Sequence, residues 1–230
     1  MERVSVIQGR QPLIVVAPHG YEQDDQHTAT MAEYIASEIN CYAVINRGWE
    51  RCQDADVLND KADCNNAYHC VQDVVREEFL EPIIRFKNRI LRSYDEAKII
   101  YLHGMGNRHR QISKDPSLGA VVGYGAGDPS RFTCDLWQKD LLLHSLNLAG
   151  IKAYQGRKGG PMSGWSKSNM NQYFRMWEMD GDVQSVQLEV IYDLRKDVET
   201  AKITASYLAH AFMTLVRARG FTGVVKFGSY

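Results

Sequence analysis

The chain is poor in everything that would staple, anchor or strongly charge it. Its 230 residues include five cysteines, Cys41, Cys52, Cys64, Cys70 and Cys134, an odd number without paired short spacings. That excludes a disulfide framework and a four-cysteine zinc site, and leaves reduced thiols in a cytoplasmic protein as the reading. Surplus charge is missing too: 27 Lys and Arg stand against 28 Asp and Glu, a formal net charge of -1. Neutralising phosphates takes an excess of cations, so a general nucleic-acid partner is excluded. No apolar run approaches the ~20 residues that span a bilayer, so no membrane partner is expected. Met1-Glu2-Arg3 is not followed by an apolar stretch, and no secretory leader is expected either. Repeats, low-complexity tracts and linkers are absent, and residues 1–230 read as one domain.

What is present is a globular composition, 44% hydrophobic and 24% charged. Strand and helix patterns alternate along it. Short apolar runs predict strands over 13–17, 42–45, 97–102, 151–154 and 183–191. Helical periodicity predicts helices over 28–39, 68–94 with a break or kink at Pro82, 132–148 ended by Gly150, and 196–219 ended by Gly220. The polar stretch 46–66 and the Gly-rich stretch 104–129 read as loops. Alternation of this kind predicts an α/β fold, with helices on both faces of a mostly parallel sheet. In such sheets ligands bind beyond the carboxyl ends of the strands, so the residues there carry the functional reading.

Three strand ends carry metal chemistry. The first runs into Pro18-His19-Gly20-Tyr21-Glu22, the third into His103-Gly104, and the last contains Gln187-Leu188-Glu189. A catalytic zinc takes three ligands from His and carboxylate and leaves one position for water. His19, Glu22 and His103 fit that set, with Gly20 easing the turn between the first two. Asp24 and Asp25 compete with Glu22 as the carboxylate, as ligands, as supporting partners or as a helix cap. Fe, Ni or Mn would accept the same donors.

Glu189 is the candidate general base and acid, because an ionised carboxylate in an apolar strand needs a cation or an activated water beside it. An outward-facing Glu on an edge strand is its plainer alternative. Arg47, after the second strand, is the candidate partner for a substrate carboxylate. Glycines over 104–127 lack the lysine of a phosphate loop and the strand–helix setting of a dinucleotide fingerprint, which excludes nucleotide binding as the main role.

Together these residues resemble the N-formylglutamate amidohydrolase family. Pro12-Leu13-Ile14-Val15-Val16-Ala17-Pro18-His19-Gly20 is similar to that family's opening motif. Tyr101-Leu102-His103-Gly104-Met105 is similar to its strand ending in a metal-binding His, and Val186-Gln187-Leu188-Glu189 to its Gln-x-Glu strand. Asn46-Arg47 with Ala62-Asp63-Cys64-Asn65-Asn66, Gly127-Asp128-Pro129-Ser130-Arg131-Phe132 and Gly159-Gly160-Pro161-Met162-Ser163-Gly164-Trp165 resemble further family segments in the same order. More distantly, the order of His, Glu, His and Glu resembles zinc carboxypeptidases and aspartoacylases. The resemblance implies a three-layer α/β/α fold, one Zn2+, and hydrolysis of an amide beside a carboxylate-bearing amino acid. It implies Asn65 at the substrate, in a segment where Asn66 replaces the family's arginine, so that Arg47, Arg51, Arg131 or Arg175 must supply the missing cation. The expected substrate is a small acidic N-acyl amino acid or a peptide-like compound. A zinc carboxypeptidase, a γ-glutamyl or cell-wall peptide hydrolase, and a non-catalytic binding protein of the same fold are the rival readings.

Overall fold

Apolar runs rich in Val and Ile become strands here because they are buried on both faces of one sheet. The computed structural model describes residues 2–21 and 24–218. Its strands are β1 (Val4–Ile7), β2 (Leu13–Ala17), β3 (Tyr42–Asn46), β4 (Ala97–Met105), β5 (Ala120–Gly123), β6 (Ala153–Gln155) and β7 (Val183–Ile191). They form one seven-stranded sheet in the order β1-β3-β2-β4-β7-β5-β6. β2 pairs in parallel with β3 and β4, β4 with β7, and β5 with β6. β1 against β3 and β5 against β7 are antiparallel. The sheet is therefore mostly parallel, as the alternation predicts.

β1 and β5 were not expected, for different reasons. β1 is a four-residue antiparallel edge strand with only Val4 fully buried, so it carries little apolar signal. β5, Ala-Val-Val-Gly, lies inside the Gly-rich stretch that reads as loop, and only its pairing with β7 makes it a strand.

Alternating side chains on the strands feed two cores. Leu13, Val15, Ile100, Leu102, Val122 and Leu188 pack on the helices Thr28–Ile39, Leu136–Leu148 and Val198–Arg217. Ile14, Val16, Val44, Ile99 and Tyr101 face the other way, onto Phe79, Ile83 and Phe86. The result is three layers, α/β/α.

The helix boundaries follow local chemistry. The predicted helix 68–94 breaks at Val71 and Gln72, between Ala67–Cys70 and Asp73–Val75. It then runs through a π-turn at Arg76–Leu80 into Glu81–Leu91. Pro82 sits at the start of that last segment, just after the wider turn, where its missing N–H is tolerated. Asp197 caps the last helix by accepting from the Thr200 amide at 2.7 Å. The predicted stop at Gly220 lies outside the described residues. Gly150 does end its helix with a positive φ of 89°. All five cysteines are free, and no described helix is long and apolar enough to cross a membrane.

Candidate metal centre

The parallel strands β2, β3, β4 and β7 bring four carboxyl ends to one edge. His19 follows β2, Asn46 ends β3, and His103 and Glu189 sit near the ends of β4 and β7. Asn46 is buried and ties two of these ends together. Its amide donates to the Pro18 and Trp49 carbonyls at 2.9 and 2.8 Å, and its oxygen accepts from the Trp49 amide at 2.8 Å. Gly20 is needed here for close approach: a Cβ would stand 2.6 Å from the Asn46 carbonyl oxygen. Trp49 and Tyr173 are buried in the core and do not wall a pocket at this edge.

After Gly20 the chain turns back on itself. The Asp25 amide donates to the His19 carbonyl at 3.2 Å, and the Asp25 carbonyl accepts from the Thr28 amide and hydroxyl at 3.0 and 2.8 Å. His27, in a left-handed conformation at φ 64°, makes the entry into the helix. This loop holds Asp25 against both histidines. Its Oδ2 lies 3.3 Å from His19 Nδ1 and 3.1 Å from His103 Nδ1. The two rings meet edge to face with centroids 4.9 Å apart. His19, Asp25 and His103 offer ligand atoms all within 4.8 Å of one another, and both imidazoles are buried. The expected ligand Glu22 lies outside the described residues; among those described, Asp25, its competitor in the sequence, is the carboxylate that joins the two histidines.

Behind His19 stands Asp63. His19 Nε2 lies 2.8 Å from Asp63 Oδ1, and the same oxygen accepts from the Asn65 amide at 2.8 Å. The Asp63 amide in turn donates to His69 Nδ1 at 3.0 Å. If His19 is neutral and gives its only N–H to Asp63, its Nδ1 lone pair faces the Asp25 carboxylate. Two acceptors cannot face each other in a buried site without a cation between them. A proton or a metal ion answers that requirement, and a carboxylate behind a histidine is the usual support of a metal ligand. The donor set of two imidazoles and one carboxylate suits zinc or a similar transition metal. His103 Nε2 is buried without a hydrogen-bond partner among the described residues.

The charges respond accordingly. Burial disfavours the His19 imidazolium, but the hydrogen bonds it donates to Asp25 and Asp63, and their charges, outweigh it and push its pKa up to about 9. Burial would raise the Asp25 carboxyl, yet hydrogen bonds to His103 and His19 hold it far below the usual carboxylate range. Asp63 is lowered as well: the His19 hydrogen bond and charge overcome its desolvation.

On β7, Glu189 is half-buried and directly opposite His103 in the parallel ladder. Directly paired residues share a face of the sheet, so the carboxylate and the imidazole lie side by side. Gln187 donates to Glu189 Oε1, and Asn169 donates to Gln187 Oε1 at 2.7 Å. This chain anchors one carboxylate oxygen.

Arg195 closes the back of the edge. Buried and over Gly104, it donates to the Val190, Gln26 and Met105 carbonyls at 3.1, 2.6 and 3.4 Å.

The expected substrate residues are dispersed. Arg47 is paired with Glu33 on the helix Thr28–Ile39. Arg51 reaches toward the site, its Nε 3.8 Å from Asp63 Oδ2. Asn65 is beside Asp63 with a buried Oδ1 that has no partner among the described residues. Arg131 lies over the Trp165 ring at 5.1 Å. Asp63, Gln187, Asn169 and Arg195 had no assigned role from the sequence. The motifs around Asp63 and Gln187 pointed to those two, and nothing local marks Asn169 or Arg195.

The sequence matches no protein-family model and no curated protein. Solved structures do match. N-formylglutamate amidohydrolase from Ralstonia eutropha JMP134 superposes with a TM-score of 0.59 at 13% identity, covering 94% of this chain and 97% of that one. A bacteriophage poly-gamma-glutamate hydrolase gives 0.54 at 13%, covering 91% and 87%. A metallo-carboxypeptidase from Pseudomonas aeruginosa gives 0.52 at 11%, covering 92% of this chain and 61% of that one. The chain thus has the fold shared by N-formylglutamate amidohydrolase and metallo-carboxypeptidases, the one its sequence motifs resemble.

Proposed function

We propose that the protein is a metal-dependent hydrolase that cleaves the amide C–N bond of a small N-acyl amino acid. The observation that carries this is His19 Nδ1 and His103 Nδ1 converging on Asp25 Oδ2, with Asp63 behind His19. The hydrolase names of proteins with the same fold support it. His19, His103 and a carboxylate, Asp25 or Glu22, would hold Zn2+ or another divalent transition metal. Such an ion supplies Lewis acidity toward the amide carbonyl and a water of lowered pKa.

The protein's own groups do the rest. Glu189, fixed at one oxygen by Gln187, takes a proton from the attacking water with its other oxygen. It returns that proton to the nitrogen as the C–N bond breaks, leaving a carboxylate and an amine. Asp63 keeps the His19 proton on Nε2 and so turns Nδ1 toward the metal locus. Asn65, through its unpartnered Oδ1, Arg131 and Arg51 are the groups proposed for the substrate's polar ends. Arg47, already paired with Glu33, gives way to Arg51 in this role.

The test is a pair of variants on zinc-loaded protein. His103→Ala loses the metal, whereas Glu189→Gln keeps it and turns over N-acyl amino acids about 10²–10⁴-fold more slowly. Asp25→Asn and Glu22→Gln, assayed for metal in the same way, decide the carboxylate. Full metal content in His103→Ala, or full activity in Glu189→Gln, refutes the assignment.

A further inference from the structure

The sheet extends beyond Glu189, and what lies there bears on the substrate. Glu189 pairs with His103 on one side and, in the antiparallel ladder, with Val121 of β5 on the other. Directly opposite residues share a face, so His103, Glu189 and Val121 form one row across three strands. Their neighbours Leu102, Leu188, Val190 and Val122 belong to the core on the other face. At a strand spacing of about 4.8 Å, Val121 is the next side chain past the candidate base, about 10 Å from the His103 strand.

Val121 belongs to an interior strand, yet it is only half-buried, because it faces a cavity of about 560 Å³. Leu118, Pro161 and Met162 line the same cavity and make it mainly apolar. Its acidic group is already satisfied: Asp115 accepts from the Tyr154 hydroxyl at 2.6 Å and from the Ser117 amide and hydroxyl at 2.8 and 2.6 Å. His109 and Arg157 line it as well.

We infer that this cavity receives the side chain of the leaving amino acid, and that the side chain is a large apolar one. The inference rests on the proposed hydrolase reading. Glu189 delivers its proton to the leaving nitrogen, so the amine half of the substrate lies on the Glu189 side of the metal. The next surface in that direction is the Val121 face. A leucine-like or phenylalanine-like side chain buries apolar area against Val121, Leu118 and Met162. A glutamate side chain has Arg157 and His109 there for its carboxylate, but it buries less apolar area against Val121, Leu118 and Met162. Volumes of this order suit side chains far larger than that of alanine.

The experiment uses zinc-loaded full-length protein and N-acetyl amino acids with one acyl group and four leaving amino acids: alanine, leucine, phenylalanine and glutamate. Leucine and phenylalanine should exceed alanine and glutamate by about 10–200-fold in kcat/KM. Val121→Asp should collapse that ratio to near one, and Met162→Glu does the same if Val121→Asp fails to fold. Calorimetric binding of free leucine and free glutamate to the same samples supplies a second readout. Hydrolysis with a glutamate or alanine preference that Val121→Asp and Met162→Glu leave untouched overturns the cavity assignment while the hydrolase stands. Leucine binding that needs Val121, with no hydrolysis anywhere on the panel, supports the cavity and overturns the hydrolase instead.

Discussion

In the proposed site a metal ion would have to displace a proton from the place between His19 and Asp25, and that competition would have a measurable size. His19 is 3% exposed, and burial alone would favour the neutral ring. Hydrogen bonds and charge from Asp25 and Asp63 win, so the metal-free protein keeps the imidazolium up to a pKa of about 9. An unfolded chain gives the proton up near 6.5. Stability from this group is therefore fully present below pH 6.5 and is lost as pH rises through about 9. The interval corresponds to about 3 kcal/mol.

Metal binding runs the other way, because the proton must leave first. At pH 7 the ion displaces it at a cost of about hundredfold in affinity relative to pH 9, or about tenfold per pH unit. Thermal unfolding of chelator-treated protein between pH 6 and 9.5 should show a falling midpoint, whereas zinc-loaded protein should not follow it. Zinc titration in two buffers of different ionisation enthalpy should report about one proton released per ion at pH 7. A flat metal-free stability curve together with no proton release would show that His19 is neutral, and would refute the reasoning.

Two further outcomes follow from the supports of the site. Asp63→Asn keeps the shape but removes the charge behind His19, and should weaken zinc binding about 10–100-fold in a competition titration against a chromophoric chelator. Gly104→Ala would place a Cβ 2.2 Å from the Arg195 guanidinium, which is buried and held by three carbonyls. It should cost about 1–3 kcal/mol in urea unfolding and loosen the Asp25 loop through Gln26.

The fold was legible wherever burial wrote itself into local composition. Leu13–Ala17 is an apolar run of strand length covered on both faces, and Val183–Ile191 turns Val186, Leu188 and Val190 into one core with Gln187 and Glu189 on the other face. The helix Thr28–Ile39 likewise follows from Met31 and Ile35 recurring on its buried face. Ala120–Gly123 could not be read in this way. Its strand state depends on a pairing with β7, supplied by residues far away in the chain, and tertiary contacts override a glycine-rich local signal.

The candidate metal site divides along the same line. Histidines placed directly at strand ends are visible to a topological rule, so His19 and His103 could be named. The carboxylate could not be chosen among Glu22, Asp24 and Asp25, because the choice depends on how one loop turns: the Asp25 amide binding the His19 carbonyl, and Thr28 closing on the Asp25 carbonyl. Asp63 is 44 residues from His19, and Asp25 is 78 from His103, distances over which periodicity carries nothing. Register carries it instead. Once β7 pairs with β4 in parallel and with β5 antiparallel, Glu189 must stand between His103 and Val121 on one face. A one-residue slip of β7 would send Glu189 into the opposite core and replace it with Leu188 or Val190. The apolar residues on that opposite face, Leu188 and Val190 packed among Leu102, Val122 and Phe212, are what forbid the slip. The hydrophobic core therefore sets the register of Glu189 against His103.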